Sequence, residues 1–221
     1  MSASAPKKRS AKKSKAGPRE RLLETAAELF YRQGYSVTGI NQVIAESGTH
    51  KASFYRYFET KEDLALAYLE MRGEYFHALL ARLTERAQAG PTGGARASNL
   101  ESFAQSWVNF TLREVRQGRF YGCPLANFRG QVPEPDERQA ALLRSIIDGW
   151  LGVLADFLRG ERDREGGTPL SASPESIAIQ FLKIYEGSAQ LYRLTGNDAY
   201  LRSMKAEMLA AARRPTSTQR T

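Results

Sequence analysis

The sequence has few of the residues on which enzymes and metal proteins usually depend. It contains 221 residues but only one cysteine, Cys123, and two histidines, His50 and His77. A single cysteine excludes an intrachain disulfide and a multi-cysteine zinc site, and two histidines leave little for metal chemistry. The sequence also contains no glycine-rich phosphate loop and no H-E-x-x-H motif. We therefore predict that the protein is not an enzyme and needs no cofactor or metal.

Long hydrophobic runs are missing as well. No stretch reaches the roughly 18 apolar residues needed to span a bilayer. Residues 1–18 also lack the apolar segment that forms the core of a signal peptide. We expect a cytoplasmic protein that makes no membrane contact.

Acidic residues are absent from residues 1–18, which contain six lysines and arginines. The whole chain has 32 basic and 24 acidic residues, a formal charge of +8, so the tail contributes most of the excess. Such a polar tail is expected to be disordered, and we expect the same of residues 214–221. Two interpretations of the basic tail stay open: a solubilising leader, or an arm that contacts DNA phosphates.

Helical periodicity runs through the rest of the chain. Helix-capping patterns occur at Thr60 with Asp63, Ser98 with Glu101, and Asp136 with Gln139, and Ser173 precedes a proline. No segment alternates well enough to predict a strand. These patterns predict an all-α fold of about nine helices separated by glycine and proline breaks.

The segment GTHKASFYRYF, residues 48–58, follows a short amphipathic stretch from Thr38 to Ser47. Gly48 separates it from a second short helix over 50–57, which predicts a helix-turn-helix. Helical geometry places Phe54 and Phe58 on one side and Lys51 and Tyr55 on another. An exposed cation and phenol on a short helix suit a DNA major groove, so we predict a DNA-reading helix.

Residues 19–69 resemble the DNA-binding region of the TetR (tetracycline-repressor) family of bacterial transcriptional regulators. The landmarks are F-x-x-x-G, T-x-I-x-x-V, G-x-x-K-x-S-F-Y-x-Y-F and K-E-D-L, in the family's order. The resemblance implies base contacts and backbone contacts at eight positions. They are Lys51, Ala52, Ser53 and Asn41 for the groove, and Thr38, Tyr55, Tyr57 and Lys61 for the backbone.

The same resemblance implies two domains in each of two subunits. Residues 19–65 would form the helix-turn-helix DNA-binding domain, and residues 66–213 the ligand-binding and dimerisation domain. For the dimer interface we predict one stripe of the helix over 173–194: Ile177, Phe181, Ile184, Ser188 and Leu191. A two-fold homodimer would then bind a roughly palindromic double-stranded DNA operator, associated with the bacterial nucleoid.

Aromatic residues are frequent after residue 75, and most of them are expected in the core. Some would border an apolar cavity for a small-molecule inducer, and our candidates are Trp107, Phe110, Tyr121, Cys123 and Trp150. For Cys123 two interpretations stay open. It is a small buried residue, or it is a reactive thiol activated by the amides of a following helix.

The predicted function is a ligand-responsive repressor that a small molecule releases from its operator. One alternative is a thiol-based repressor that senses electrophiles or oxidants through Cys123. Another is a helical protein that binds polyanions without sequence preference through its basic tail. The second alternative predicts that binding depends on residues 1–18 alone, whereas the first requires release by an alkylating agent.

Overall fold

The computed structural model describes residues 16–89, 98–132, 134, 136–164 and 169–213. Within these residues the chain forms nine helices and no sheet, apart from an isolated bridge between Leu170 and Arg213. The helices are α1 (Pro18–Arg32), α2 (Ile40–Ser47), α3 (Lys51–Tyr57), α4 (Lys61–Gln88), α5 (Asn99–Arg116), α6 (Pro124–Arg129), α7 (Glu137–Asp163), α8 (Pro174–Thr195) and α9 (Ala199–Ala212). The all-α prediction is confirmed. The basic tail up to residue 15 and residues 214–221 lie outside the described residues.

The predicted helix starts are confirmed by their hydrogen bonds. The Thr60 hydroxyl accepts from the Asp63 amide at 3.1 Å, and the Asp63 carboxylate accepts from the Thr60 amide, so the two residues form a capping box. A second capping box joins Ser98 and Glu101 at the start of α5. These caps fix where the two helices begin, so the side chains on each helix keep a definite orientation.

Helices α1 to α3 form a small three-helix unit, and α4 leads out of it. Phe54 and Phe58 are buried, and their ring centroids lie 5.9 Å apart. Gly48 ends α2 with φ of +62°, a left-handed conformation that glycine adopts without a steric penalty. The turn therefore allows α3 to cross back over α1. Helix α2 begins at Ile40 rather than at the predicted Thr38, because Gly39 is its N-cap.

Helices α4, α5, α7, α8 and α9 enclose the larger core. Trp107, Phe103 and Phe181 are fully buried there, and the Trp150 indole donates to the Gly73 carbonyl at 3.0 Å. None of the described helices combines the length and the apolar character that crossing a bilayer requires.

The stripe predicted for the dimer interface points mostly into the subunit's own core. Ile177, Phe181 and Ser188 are buried and Ile184 is partly buried, whereas Leu191 is exposed. The prediction is therefore wrong for the three buried residues. Helix α8 packs against α7 and α9 of the same chain, and the Phe181 ring lies 6.2 Å from that of Phe103 on α5.

Candidate DNA interface and ligand cavity

Helix α3 presents a polar surface opposite its buried side. Lys51, Ala52 and Tyr55 are exposed, and the Lys51 ammonium lies 5.9 Å from the centroid of the Tyr55 ring. The buried Phe54 holds the other side of the helix against the three-helix unit. Lys51 and Tyr55 are thereby positioned on one outward surface, where a duplex can approach them.

Three other predicted contact residues lie around this surface. Asn41 is exposed at the start of α2, whereas Ser53 and Tyr57 are partly buried on α3. The Tyr57 ring packs on the core, and its hydroxyl accepts a hydrogen bond from Arg56. Its phenol is therefore held at the surface by a neighbouring cation.

Lys61 begins α4 and lies over the Tyr35 ring, with 4.1 Å from the ammonium to the ring centroid. Partial burial lowers the pKa of Lys61, and the neighbouring Glu62 opposes that effect. A cation at a helix start is disfavoured by the helix dipole unless an anion is close. This location would suit a DNA phosphate.

Thr38 does not have the geometry predicted for a backbone contact. Its side chain is only 1% exposed, and its hydroxyl donates to the Gly34 carbonyl at 2.6 Å while accepting from Gln33 at 3.1 Å. The only hydroxyl proton is therefore used inside the subunit. Thr38 holds the turn between α1 and α2 and does not offer its hydroxyl to DNA.

Two exposed arginines near this surface were missing from the predicted set. Arg56 stacks on the Tyr57 ring at 4.6 Å, and Arg19 lies 5.6 Å from the Phe58 ring centroid at the start of α1. Arg56 thus lies next to an aromatic residue of α3, and Arg19 lies next to the aromatic residue that caps its end. The sequence offered a signal for Arg56 in its outward position on the helix, but it offered none for Arg19.

A cavity of about 650 Å³ lies between the three-helix unit and the larger core. Its walls come from α1, α4, α5, α7 and α8 and from the segment leading into α6. The central lining residues are Ala27, Tyr31, Met71, Arg72, Tyr75, Phe76, Phe110, Phe120, Tyr121, Cys123, Leu125, Trp150 and Tyr185. Most of them are apolar or aromatic, as in a typical small-molecule site.

Trp107 was predicted to line such a cavity but does not. It is fully buried, and its ring lies 5.9 Å from that of Phe76 and 5.2 Å from that of Tyr185. These two rings border the cavity and separate Trp107 from it. Its aromatic character made Trp107 a candidate for the cavity lining, but it did not show how deep the residue lies.

Cys123 borders the cavity as a protonated thiol. It is 4% exposed; burial raises its pKa well above the usual value, and the adjacent Glu186 raises it further. Backbone amides of Leu125 and Ala126 act in the opposite direction but are outweighed. Of the two interpretations left open for Cys123, the small buried residue therefore fits, because desolvation outweighs the amides.

Tyr31 connects α1 to the segment before α6. Its hydroxyl donates to the Gly122 carbonyl at 2.7 Å and accepts from the Tyr121 amide at 3.0 Å. Burial raises the pKa of Tyr31, so the hydroxyl stays protonated. The sequence analysis did not identify this residue, because nothing in its helical position indicates a partner about ninety residues away.

One further contact joins the three-helix unit to the rest of the subunit, and a second joins the start of α4 to α7. The Gln131 amide oxygen accepts from the backbone and the hydroxyl of Ser36, both at 3.1 Å. Arg138 of α7 donates to Asp63 at 2.8 Å. Together with Tyr31, these contacts tie the position of the predicted DNA-reading helix to the walls of the cavity.

The helix-turn-helix unit, the exposed side of α3 and the adjoining cavity define a DNA-binding transcriptional regulator. The family described as "Bacterial regulatory proteins, tetR family" matches residues 22–68. The regulator LmrA of Bacillus subtilis is 41% identical over 163 residues, covering 71% of this chain and 82% of the relative. The chain belongs to the TetR family.

Other relatives agree with this assignment. The repressor NemR of Escherichia coli is 28% identical over 145 residues, covering 66% of this chain and 69% of the relative. The crystal structure of the reduced form of E. coli NemR matches with a TM-score of 0.73 at 22% identity, covering 90% of this chain and all of that one. That structural likeness shows that the fold is shared.

Proposed function

We propose that this chain is a homodimeric repressor that binds a palindromic operator and is released when a small molecule occupies the cavity. The observation that carries the proposal is that α1, a helix of the DNA-binding unit, forms part of the cavity wall. A ligand in the cavity therefore touches the DNA-binding unit directly. We keep residues 19–65 and 66–213 as the two functional parts, although α4 runs through the boundary between them.

Release follows if the ligand prefers the conformation that does not fit DNA. The shift cannot exceed the difference between the ligand's affinities for the two conformations. A change of some tens of fold in DNA affinity requires only about 2 kcal/mol. Displacement of Tyr31 or of the segment it holds would be a route for that coupling.

As the dimer interface we propose the outward-facing apolar stripe of α8, in place of the buried stripe predicted from the sequence. Ile179, Leu191 and Leu194 are exposed apolar residues, and Leu194 is 75% exposed. Gly187 lies on the same stripe, with open space where a side chain would begin. A small residue flanked by apolar ones favours close packing against a helix of a second copy.

Selection of bound sequences from a random duplex library tests the DNA-binding proposal. The full-length protein is compared with Lys51→Ala, Tyr55→Phe and Arg82→Ala, all at one fixed salt concentration. Arg82 is exposed on α4, far along the chain from α3, so its loss controls for net charge. We expect an inverted repeat whose half-sites are about 10 base pairs apart.

Lys51→Ala is expected to weaken binding to the selected repeat by about tenfold or more and to broaden the preference. Tyr55→Phe should weaken binding to all sequences alike if its hydroxyl contacts phosphate. Arg82→Ala should behave as the wild type. Absence of an enriched repeat, with binding only at low salt, would contradict the proposal and favour the polyanion-binding alternative.

A further inference from the structure

One charged side chain of the cavity has no partner of opposite charge. Arg72 of α4 is partly buried and lines the cavity, and its buried Nε has no hydrogen-bond partner among the described residues. No carboxylate in the described part of the chain lies within 4.0 Å of its guanidinium. A buried charged donor without an acceptor is costly, so a folded chain seldom keeps one without a use for it.

The guanidinium is held in a fixed orientation. Its carbon lies 4.9 Å from the centroid of the Tyr31 ring and 5.7 Å from that of Tyr68. One terminal nitrogen donates to the Ala27 carbonyl of α1 at 3.2 Å. Arginine stacked on aromatic rings keeps its planar set of donors in place, which suits recognition of a planar anion.

The other charged groups of the cavity are either paired or exposed to solvent. Glu114 and Arg119 form two hydrogen bonds, at 2.8 and 3.0 Å. Arg32 pairs with Glu28 at 3.6 Å. Glu24 is exposed to solvent on α1. Among the described lining residues, Arg72 is therefore the cation that has no carboxylate partner.

The polar groups on the inner wall are neutral. Burial raises the pKa of Tyr185 well above its usual value, so its hydroxyl remains a donor. The Cys123 thiol is protonated for the same reason. Neither group repels an anion, and the aromatic rings of Phe76 and Trp150 offer apolar surface beside them.

Resting on the proposed ligand-responsive function, we propose that the inducer is a planar aromatic molecule with one anionic group, and that Arg72 binds this group. The aromatic part would pack against Phe76, Phe110 and Trp150. Charge-assisted hydrogen bonds to a carboxylate, sulfonate or phenolate would use the terminal nitrogens of the guanidinium, because the Nε is buried.

The same contact links ligand binding to the DNA-binding unit. Arg72 shares its guanidinium between the Ala27 carbonyl and the Tyr31 ring, both on α1. An anion in the cavity competes with these weaker partners for the same donors. Occupancy would then loosen α1 from α4 at this point, which moves the helices that precede α3.

Two fluorescent probes that differ mainly in charge test the proposal. One is 1-anilinonaphthalene-8-sulfonate, and the other is the neutral N-phenyl-1-naphthylamine, which has the same aromatic rings. Both are titrated into the full-length wild-type protein and into Arg72→Gln, Arg72→Lys and Arg82→Gln. Arg82 provides the matched control, since it is an exposed arginine of the same helix.

We expect Arg72→Gln to weaken binding of the sulfonate by at least about tenfold and to leave binding of the neutral probe within about twofold. Arg82→Gln should match the wild type for both probes. Arg72→Lys should show an intermediate loss for the sulfonate, since lysine keeps the charge but not the planar donors. Circular dichroism verifies that each variant is folded. If Arg72→Gln does not fold, the effect of Arg72→Lys on sulfonate binding tests the role of Arg72 instead.

Equal effects of Arg72→Gln on the two probes, or no effect on either, would overturn the role of Arg72. The cavity would still bind aromatic molecules, and the proposed function would stand. Failure of both probes to bind the wild type would refute the aromatic ligand class together with the proposed use of the cavity.

Discussion

At the scale of single residues, Asp63 has two tasks at the junction of the DNA-binding unit and the core. Its carboxylate caps α4 through Thr60 and accepts from Arg138 of α7 at 2.8 Å. The Arg138 hydrogen bond, followed by that from Thr60, lowers the pKa of Asp63 below its usual value. The folded chain therefore stabilises the ionised carboxylate of Asp63 more than the unfolded chain does.

The stability that Asp63 contributes should depend on pH. Because its pKa is lowered in the folded state, the contribution is present above the unfolded pKa of about 3.9 and is lost as the pH falls through the folded value. Asp63→Asn is expected to lower the free energy of unfolding by about 1 kcal/mol near neutral pH. As the pH falls through the folded pKa of Asp63, the difference from wild type should shrink.

Urea unfolding of both proteins at neutral pH and at a series of lower pH values measures this difference in the free energy of unfolding. Asp148→Asn is the control, because Asp148 is exposed on α7 and makes no ion pair or hydrogen bond among the described residues. A deficit of Asp63→Asn that stays constant with pH would show that the ionised carboxylate is not the stabilising form.

Single-residue roles were the least predictable from the sequence. The buried state of Thr38 and the depth of Trp107 depend on which helix covers them, which local periodicity does not encode. Arg72 did leave a signal: it occupies an inward position four residues from both Tyr68 and Phe76, where an apolar side chain is expected. No feature of the sequence indicated the hydrogen-bond partners of Tyr31.

At the scale of elements, α4 and α7 approach each other closely at Gly73. A Cβ placed on Gly73 would lie 2.8 Å from Cδ1 and Cγ1 of Ile146 and 3.0 Å from its Cγ2. Ile146 is branched at Cβ and has little rotamer freedom in a helix, so it cannot turn away easily. The close approach of α4 and α7 therefore depends on the absence of a side chain at residue 73.

Gly73→Ala is expected to lower the free energy of unfolding by about 1–3 kcal/mol through overpacking, despite the higher helix propensity of alanine. Gly149→Ala on α7 is the matched control, because its new Cβ would meet His77 Nδ1 at an ordinary 3.6 Å. That variant should gain up to about 1 kcal/mol from helix propensity. Denaturant unfolding at one protein concentration compares the two.

If Gly73→Ala were as stable as Gly149→Ala, α4 and α7 would be able to move apart without cost. The contact would then not fix the cavity wall.

The helices themselves were largely predictable from the sequence. Caps at Thr60, Ser98, Asp136 and Ser173 have local signatures, and each predicted cap begins a helix in the structure. The orientation of α8 was not predictable, since two apolar stripes on one helix do not indicate which of them faces the subunit's own core.

At the scale of the whole molecule, the exposed stripe of α8 makes the assembly testable. Gly187→Arg and Leu191→Asp place a large or charged side chain where we propose that a second copy packs. Each is expected to weaken self-association by at least about tenfold, since a buried unpaired charge is costly. Sedimentation velocity over a dilution series without DNA measures the monomer fraction.

Val37→Asp is the control for this experiment, because Val37 is another exposed apolar residue, 69% exposed, but lies before α2. It should self-associate like the wild type. Unchanged association of both α8 variants would place the interface elsewhere and would leave the exposed stripe without a proposed partner.

In the proposed dimer, the unbroken helix α4 of each subunit connects the cavity to the DNA-reading helix. Lys61, beside the DNA-reading helix, and Arg72, at the cavity, are 11 residues apart on one helix, about 16 Å along its axis. A tilt of about 6° pivoting at Arg72 moves the Lys61 end by roughly 1.7 Å. Two-fold symmetry doubles this to roughly 3.4 Å, which equals the rise of one base pair. A rotation too small to disturb the core would thus put two half-sites out of register by one step of the duplex.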